Sequence, residues 1–231
     1  MSKVQYISPG GHRYQMECRD GTTDDLVANS SAYPNNEYNL PHGLAGWALD
    51  VGAHIGSVTV PLLLDNPDLR VIAIEAIPEN VAALMANVDG NGVGDRCIVV
   101  HAAASDTPDE QRIGYSLNFP PDDNAFNQAN RFIGSMNAPA GVQEVHVKGV
   151  TLRGAMLLRG PAQDDPIVWM KIDCEGCEYK FLRSKHIEWV EYIIGEHHFG
   201  FGGLETLLSE THSVKILSGT ADFGTFEAVL Q

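Results

Sequence analysis

Short apolar runs alternate with helical patterns from about residue 46 to the end of the chain. The runs are "GWALDVG", "VIAIEA" (71–76), "RCIVVHAAA" (96–104), "PIVWMKID" (166–173) and "VEYIIGEHH" (190–198). After the second run, apolar residues recur at the spacing of a helix. Near-continuous apolar strands separated by helices are typical of a parallel sheet that is covered on both faces. The pattern therefore predicts an α/β fold.

Both ends of the chain show the pattern of a hairpin. At the amino terminus, "KVQYIS" and "HRYQMEC" flank the turn sequence "PGG", and at the other end "HSVKILSGTADFGTFEAVL" contains two strands around a glycine loop. We therefore divide the chain into an amino-terminal extension of a hairpin and a helix (1–45) and one α/β domain (46–231).

Residues 107–143 interrupt this alternation. They are rich in Asn, Pro and aromatic residues and show no clear period. Long irregular segments inside compact domains are usually functional or disordered. Four aromatic residues, Tyr115, Phe119, Phe126 and Phe132, favour a lid over a substrate rather than an ordinary surface insertion.

Composition narrows the possible partners. A chain of 231 residues with 44% apolar content can bury one substantial core. Its 30 acidic and 15 basic residues give a net charge of −15, which repels phosphate backbones and anionic lipid. We expect neither a nucleic-acid nor a membrane partner, and nothing in the sequence indicates an oligomeric state. The amino terminus has no apolar signal region, so we expect a cytoplasmic protein.

The first motif with chemical meaning is "LDVGAHIG", in which Gly52 and Gly56 flank a turn after a strand. A nucleotide-binding turn usually reads G-x-G-x-x-G, and the carboxylate of Asp50 would repel a pyrophosphate. A ligand with a cationic head, such as S-adenosylmethionine, suits this loop better. Glu75 ends the next strand, where an acid can accept hydrogen bonds from ribose hydroxyls. That feature fits NAD equally well.

These residues resemble the FkbM-type S-adenosylmethionine-dependent methyltransferases. The segments "RDGTTDDLV" and "NNEYNL" are similar to the family's leading segment, and "LDVGAHIGSVTV" is similar to its cofactor loop. "VIAIEAIPENVAALMANV" resembles its ribose-binding strand and helix, and "KIDCEGCEYKFL" resembles its motif K-x-D-x-E-G-x-E. The resemblance implies the class I methyltransferase fold, a Rossmann-like sheet of seven strands with the last antiparallel, which agrees with the terminal hairpin.

The resemblance and the strand ends together indicate where the cofactor binds. The expected cofactor-binding residues are Asp50, Gly52, Ala53, Gly56, Glu75, Ala76, Ala104, Asp106 and Asp173. Asp106 is placed where an acid could accept a hydrogen bond from the adenine amine. The sequence departs from the family at two points. Pro61 should kink the helix after the glycine loop, and Arg153 stands where the family has an acid, so no role is carried over to it.

The motif "KIDCEGCEYKFL" also contains a Cys-x-x-Cys, formed by Cys174 and Cys177. A zinc site would need two more ligands, and Cys18 and Cys97 are isolated in the sequence. A redox motif would need a thioredoxin-like order of elements. We therefore interpret Cys174 and Cys177 as small apolar residues that pack between a strand end and a helix start.

The acidic residues of the same motif are better candidates for chemistry. Asp173 and Glu175 lie two apart at the end of one strand, and Glu196 and His198 repeat that spacing at the end of the next. Ligands of doubly wound sheets bind beyond the carboxyl ends of the strands, so both pairs should face one crevice. His197 should point the other way.

The resemblance thus implies an O-methyltransferase that moves a methyl group to a hydroxyl of a small molecule by direct displacement, and it suggests an acceptor of sugar or natural-product type. We expect His198 to act as the base, oriented by Glu196, with Asp173 or Glu175 as alternatives. A divalent ion could bind the same residues, but a polyhydroxylated acceptor explains them equally, so metal-free catalysis is preferred. The alternatives are an NAD-dependent oxidoreductase, which would have to tolerate Asp50, and a non-catalytic binding module, which would be expected to have lost these acids.

Overall fold

The computed structural model describes residues 1–115, 143–162, 165–198 and 200–231. The chain begins with an antiparallel hairpin of β1 (Ser2–Ile7) and β2 (Arg13–Cys18), followed by helix α1 (Asp24–Ser31). The elements that follow are β3 (Ala45–Val51), α2 (Thr59–Asp65), β4 (Asp68–Glu75), α3 (Pro78–Gly90), β5 (Cys97–His101), β6 (Ala103–Ala104), β7 (Glu110–Tyr115), β8 (Gln143–Val150), α4 (Leu152–Leu157), β9 (Ile167–Ile172), α5 (Glu178–Leu182), β10 (Tyr192–His197), α6 (Phe201–Leu208), β11 (His212–Gly219) and β12 (Gly224–Leu230).

Seven strands form the central sheet, in the order β11-β12-β10-β9-β3-β4-β5. The neighbours from β10 to β5 pair in parallel, and β12 is antiparallel to both β10 and β11. The expected sheet with one antiparallel strand and a terminal hairpin is therefore confirmed. The strand order reverses between β3 and β9, and ligands of open α/β sheets bind at such a reversal.

Side chains of each central strand alternate between two apolar layers. Ala48 of β3 and Val71 and Ala73 of β4 face the layer that contains α2, α3 and the amino-terminal hairpin. Leu49 and Ile72 face the layer that contains α4, α5 and α6. Among the residues that the structure describes, no helix is long and apolar enough to cross a membrane.

The expected kink at Pro61 is absent. Helix α2 begins at Thr59, so Pro61 lies in its first turn, where a backbone N–H has no partner within the helix. Residues after the glycine loop form turns before α2 starts, which the apolar pattern did not reveal. The proline therefore fits the start of this helix.

The insertion is more regular at its ends than the sequence indicated. Residues Glu110–Tyr115 form a strand that pairs antiparallel with Gln143–Val150, so part of the expected irregular segment 107–143 is a hairpin. The proposed lid residues Phe119, Phe126 and Phe132 lie outside the described residues.

Asn87 of α3 and Asn91, the residue directly after this helix, attach the amino-terminal hairpin to the domain. The side chain of Asn91 accepts from the amide of Gln15 at 3.1 Å and donates to its carbonyl oxygen at 2.7 Å. One turn earlier, Asn87 accepts from the amide of Glu17 at 2.6 Å and donates to the carbonyl of Ile55 at 2.9 Å. The two side chains satisfy backbone groups of β2 as a neighbouring strand would.

Replacing Asn87 by alanine should therefore loosen the hairpin. Asn87 is fully buried, and removing it leaves backbone groups without partners, at a cost of roughly 1–3 kcal/mol in the free energy of unfolding. Denaturant unfolding measures the loss, and faster hydrogen exchange at Glu17 locates it. Asn29→Ala, at an exposed position of α1, is the matched control. Equal stability of the two variants would contradict this role.

Candidate active site

A cavity of about 420 Å³ opens at the carboxyl ends of four neighbouring strands. Its lining includes Gly52 after β3, Glu75 at the end of β4, Asp173 after β9 and Glu196 near the end of β10. These strands flank the reversal in strand order, so the cavity lies where an α/β sheet binds its ligand.

The amino-terminal extension forms another wall of the same cavity. The lining residues of this segment include Arg19, Thr22, Thr23, Asp24, Leu26, Val27, Ser30, Ser31, Glu37 and Tyr38. None of these residues was expected at the site, because nothing local in the sequence indicates where α1 packs. Residues 1–45 are therefore part of the site and not only an addition to the domain.

The turn after β3 requires glycine. Gly52 has φ +77°, and a Cβ at this position would lie 1.9 Å from the carbonyl oxygen of Asp173. The backbone after β9 thus passes directly over Gly52, which only glycine allows. Gly56 has φ +88° and packs against Leu84 of α3. Neither Gly56 nor the buried Ala53 is among the cavity-lining residues, contrary to the expectation that they contact the cofactor.

Asp50 also lies outside the cavity lining, contrary to expectation. It is fully buried, where Thr59 donates a hydrogen bond to its carboxylate at 2.6 Å and the ammonium of Lys171 lies 3.7 Å away. Lys171 in turn donates to the carbonyl oxygen of Gly52 at 2.8 Å. Asp50 therefore balances the charge of a buried lysine beneath the glycine turn. The position of Asp50 before the turn in the sequence did not indicate this ion pair.

Lys171 is held as a cation by the acids around it. Burial alone would lower its pKa, but the charges of Asp173 and Asp50 raise the pKa above the usual range. Its ammonium lies 3.7 Å from the carboxylate of Asp173 and 5.3 Å from the ring centre of Tyr38. The Tyr38 hydroxyl donates to Asp173 at 2.8 Å. Lys171 and Tyr38 thus fix the position of Asp173 at the cavity wall.

Glu75 is oriented by backbone amides. Its two carboxylate oxygens accept from the amides of His54 and Ile77, each at 2.8 Å. Burial raises its pKa, and these hydrogen bonds oppose that shift. A carboxylate offers about four acceptor positions, so Glu75 keeps acceptor capacity toward the cavity. This placement agrees with the expected contact to ribose hydroxyls.

A polar chain links Glu75 to the amino-terminal extension. Arg19 donates two hydrogen bonds to Asp24, each at 2.8 Å, and a third to Asn80 at 2.7 Å. Asn80 in turn donates to Glu75 at 3.4 Å. Arg19 and Asp24 belong to "RDGTTDDLV", so the leading segment acts on the ribose end of the cavity.

The remaining expected cofactor residues divide into two groups. Ala76 and Ala104 line the cavity, as expected. Asp106 is exposed and is not part of the lining, because the chain turns away after buried Ser105. The described structure therefore gives no support to an adenine contact by Asp106.

The expected catalytic residues lie together. The Nε2 atom of His198 is 3.3 Å from a carboxylate oxygen of Glu175, 3.3 Å from Glu196 and 3.9 Å from Asp173. The residues of both strand ends thus converge, although Glu175 lies in a turn after β9 and not in extended chain. His197 is buried with its ring against Phe201 and does not line the cavity.

A fourth acid, Glu178, holds the other side of the His198 ring. This residue is fully buried, and its carboxylate oxygen lies 2.9 Å from Nδ1 of His198. Burial alone would lower the pKa of His198, but hydrogen bonds to Glu178 and Glu196 and the charge of Glu175 raise it to about 11. A histidine with this pKa is already protonated at neutral pH. The surroundings therefore favour the protonated ring, and a role of His198 as the base stays a prediction.

Cys174 and Cys177 are joined by a disulfide, with a Cα–Cα distance of 5.4 Å. Both cysteines pack in an apolar layer as expected, Cys177 within it and Cys174 against it. The bond between them was not expected, and it forms because the turn "CEGC" brings its ends together before α5. Within this turn Glu175 has φ +57°. Both cysteines line the cavity, so the disulfide borders the segment that carries Glu175.

The sequence of residues 50–218 matches the model of the methyltransferase FkbM domain. The chain belongs to the FkbM methyltransferase family. The match spans well over half of the chain, and it includes both the glycine turn and the motif around Asp173. No protein of curated function shows a significant sequence match.

Solved structures of methyltransferases share the fold of this FkbM methyltransferase at low sequence identity. Precorrin-6y C5,15-methyltransferase from Geobacter metallireducens GS-15 is 11% identical with a TM-score of 0.48, and 93% of each chain is covered. TrmK from M. capricolum, in complex with S-adenosyl-homocysteine, is 8% identical with a TM-score of 0.49, and the match covers 90% of this chain and 67% of TrmK. The family assignment depends on neither similarity.

The cofactor of this FkbM methyltransferase is S-adenosylmethionine, and the cavity fits it. A volume of about 420 Å³ is within the range of small-molecule sites. Glu75 offers an acceptor to ribose hydroxyls, while Ala76 and Ala104 leave room for close approach. Family membership also removes the alternative of an NAD-dependent oxidoreductase.

Replacing Gly52 by alanine should disrupt the cofactor turn. The new Cβ would force the backbone of Asp173 away from β3, so S-adenosylhomocysteine binding should fall at least ~10-fold, as measured by calorimetry. Gly21→Ala is the matched control, since Gly21 has φ +76° but nothing within 4 Å of the added Cβ. Equal effects of the two changes would mean that only backbone strain matters.

Replacing Glu75 by glutamine should weaken cofactor binding without removing the side chain. The amide group would face a backbone N–H, and the charged acceptor would be lost, at a cost of roughly 1.5–3 kcal/mol, or about 10–100-fold in affinity. Titration with S-adenosylhomocysteine measures the effect, and the exposed Glu188→Gln serves as control. Unchanged affinity in Glu75→Gln would rule out the ribose contact.

Proposed function

We propose that this enzyme methylates a hydroxyl group of a small polar molecule, of sugar or natural-product type. The observation that carries the proposal is the cluster of Asp173, Glu175, Glu196 and His198 beside the cofactor cavity. Such a set of acceptors with one donor suits a molecule that carries several hydroxyls.

The cluster and Glu75 lie at the two outer strands of the four that border the cavity. Glu75 ends β4, whereas Glu196 lies on β10, three strands away in the sheet. At the usual spacing of neighbouring strands this separation is about 14 Å. A cofactor whose ribose lies at Glu75 would extend along the glycine turn toward Asp173. The acceptor hydroxyl would then meet the methyl group near Asp173.

The charges of the cavity favour an acceptor without phosphate or carboxylate groups. Among the described residues that line the cavity, the lysine and arginine side chains are those of Lys171 and Arg19. Each is already paired with acids. The carboxylates of Glu37, Asp173 and Glu196 would repel a second anion. A neutral or cationic hydroxyl compound suits this wall.

The cofactor supplies a methyl group that is bonded to a sulfonium. The acceptor oxygen would form a bond to the methyl carbon while the carbon–sulfur bond breaks, and the electron pair of the broken bond would stay on sulfur. The protein positions the acceptor oxygen, which can supply about 7–11 kcal/mol of the barrier reduction. Asp173 faces the cavity, oriented by Tyr38, and can accept the hydroxyl proton. Glu196 and Glu175 can accept hydrogen bonds from neighbouring hydroxyls.

The test is methyl transfer from labelled S-adenosylmethionine to a panel of neutral and cationic hydroxyl compounds, with phosphorylated and carboxylated analogues as comparison. Asp173→Asn should keep S-adenosylhomocysteine binding within a few-fold but lower transfer by roughly 10²–10⁴-fold. Asp68→Asn, at an exposed position at the amino end of β4, is the control. The proposal would be refuted if Asp173→Asn transferred the methyl group at the rate of the control. It would also be refuted if only the phosphorylated and carboxylated analogues were methylated.

A further inference from the structure

Four side chains from two neighbouring strand ends converge on one small volume beside the cavity. Nε2 of His198 lies 3.3 Å from Glu175, 3.3 Å from Glu196 and 3.9 Å from Asp173. The ligand atoms of Asp173, Glu196 and His198 all lie within 4.8 Å of one another. Metal–ligand bonds of about 2.0–2.2 Å place neighbouring ligand atoms roughly 3.0–3.5 Å apart. Asp173, Glu196 and His198 therefore have the spacing of part of a coordination shell, slightly wide at Asp173, and Glu175 lies close to Nε2 but outside that set.

The orientation of His198 is a second and separate observation. Its side chain is nine-tenths buried, with 9% exposed, and Nδ1 is held at 2.9 Å by Glu178, which is itself fully buried. That carboxylate oxygen also accepts from the backbone amide of Cys174 at 3.2 Å, so its position is fixed. With Nδ1 occupied in this way, Nε2 points at the three carboxylates. Histidines that bind metals almost always donate their other ring N–H to such a partner.

The charges also suit a cation at this point. Asp173, Glu175 and Glu196 bring three carboxylates to one nitrogen atom, and like charges so close repel one another. The ammonium of Lys171 lies 3.7 Å from a carboxylate oxygen of Asp50 and 3.7 Å from one of Asp173, so it is shared between these two acids. A divalent ion would take the place of the proton on Nε2 and would offset the repulsion between the carboxylates.

We propose that Asp173, Glu196 and His198 form a binding site for a divalent cation of the Mn²⁺ type, with Glu175 beside it. Carboxylate oxygens suit Mg²⁺ and Mn²⁺, whereas imidazole suits later transition metals, so two carboxylates with one imidazole favour Mn²⁺ over Mg²⁺. Glu178 is a positioning residue that sets the direction of Nε2.

The ion would have a role in the reaction because the site borders the acceptor end of the cavity. A coordinated hydroxyl loses its proton more readily, and the cluster carboxylates can take that proton before the oxygen attacks the methyl carbon. This role rests on the proposed function, whereas binding of the ion does not.

Manganese binding is measured on the full chain, first stripped with a chelator and without cofactor or acceptor present. Electron paramagnetic resonance of free Mn²⁺ should show one bound ion per chain. His198→Ala and Glu196→Gln should each lower the affinity at least ~10-fold, and Glu178→Gln should lower it by roughly 10–100-fold. Asp68→Asn should bind as the unchanged protein does. Absence of a site, or a site that survives His198→Ala, would overturn the proposal.

Two further measurements separate the ion site from the proposed function. S-adenosylhomocysteine titration shows whether each variant is folded, since Glu178→Gln and Glu196→Gln should bind it within a few-fold of the unchanged protein. Full methyl transfer by the chelated protein would overturn the catalytic role of the ion. If Mn²⁺ binds as expected but no hydroxyl compound is methylated, the proposed function fails while the ion site stands.

Discussion

The buried ammonium of Lys171 holds the centre of this site together. It donates to the carbonyl of Gly52, lies close to Asp50 and Asp173, and packs over Tyr38. These partners come from β3, from the residue after β9 and from the extension. A lone buried charge would cost several kcal/mol, so the lysine is stable only with its acids in place. Removing any one partner would therefore affect the turn, the cluster and the extension together.

The cavity combines two ends with different chemistry. At one end, Glu75 is fixed by two backbone amides and, through Asn80, by Arg19. At the other, three carboxylates surround His198 on the side opposite Glu178. The glycine turn lies between them. The two ends of the cavity thus present different polar groups to whatever binds there.

The sequence predicted those features that depend on neighbours along the chain. The apolar runs located the central strands, and the position of Asp173, Glu175, Glu196 and His198 at the ends of two such strands indicated that they lie close together. The turn that directs Glu175 to His198 was not foreseen. Features that depend on distant contacts were missed. Asp50 is paired with a lysine far along the chain, and α1 reaches the cavity only through tertiary packing. The disulfide was missed because its spacing fits several roles, and β7 was hidden in a segment without an obvious period.

The family match begins at residue 50, yet Arg19, Asp24 and Tyr38 line the cavity from outside that region. The part of the chain that defines the family therefore supplies the floor of the site, and the preceding segment supplies one of its walls. A chain shortened to residues 50–218 would retain the motifs but lose this wall, together with the partners of Asn80 and Asp173. Changes in the preceding segment would therefore alter the cavity without altering its floor.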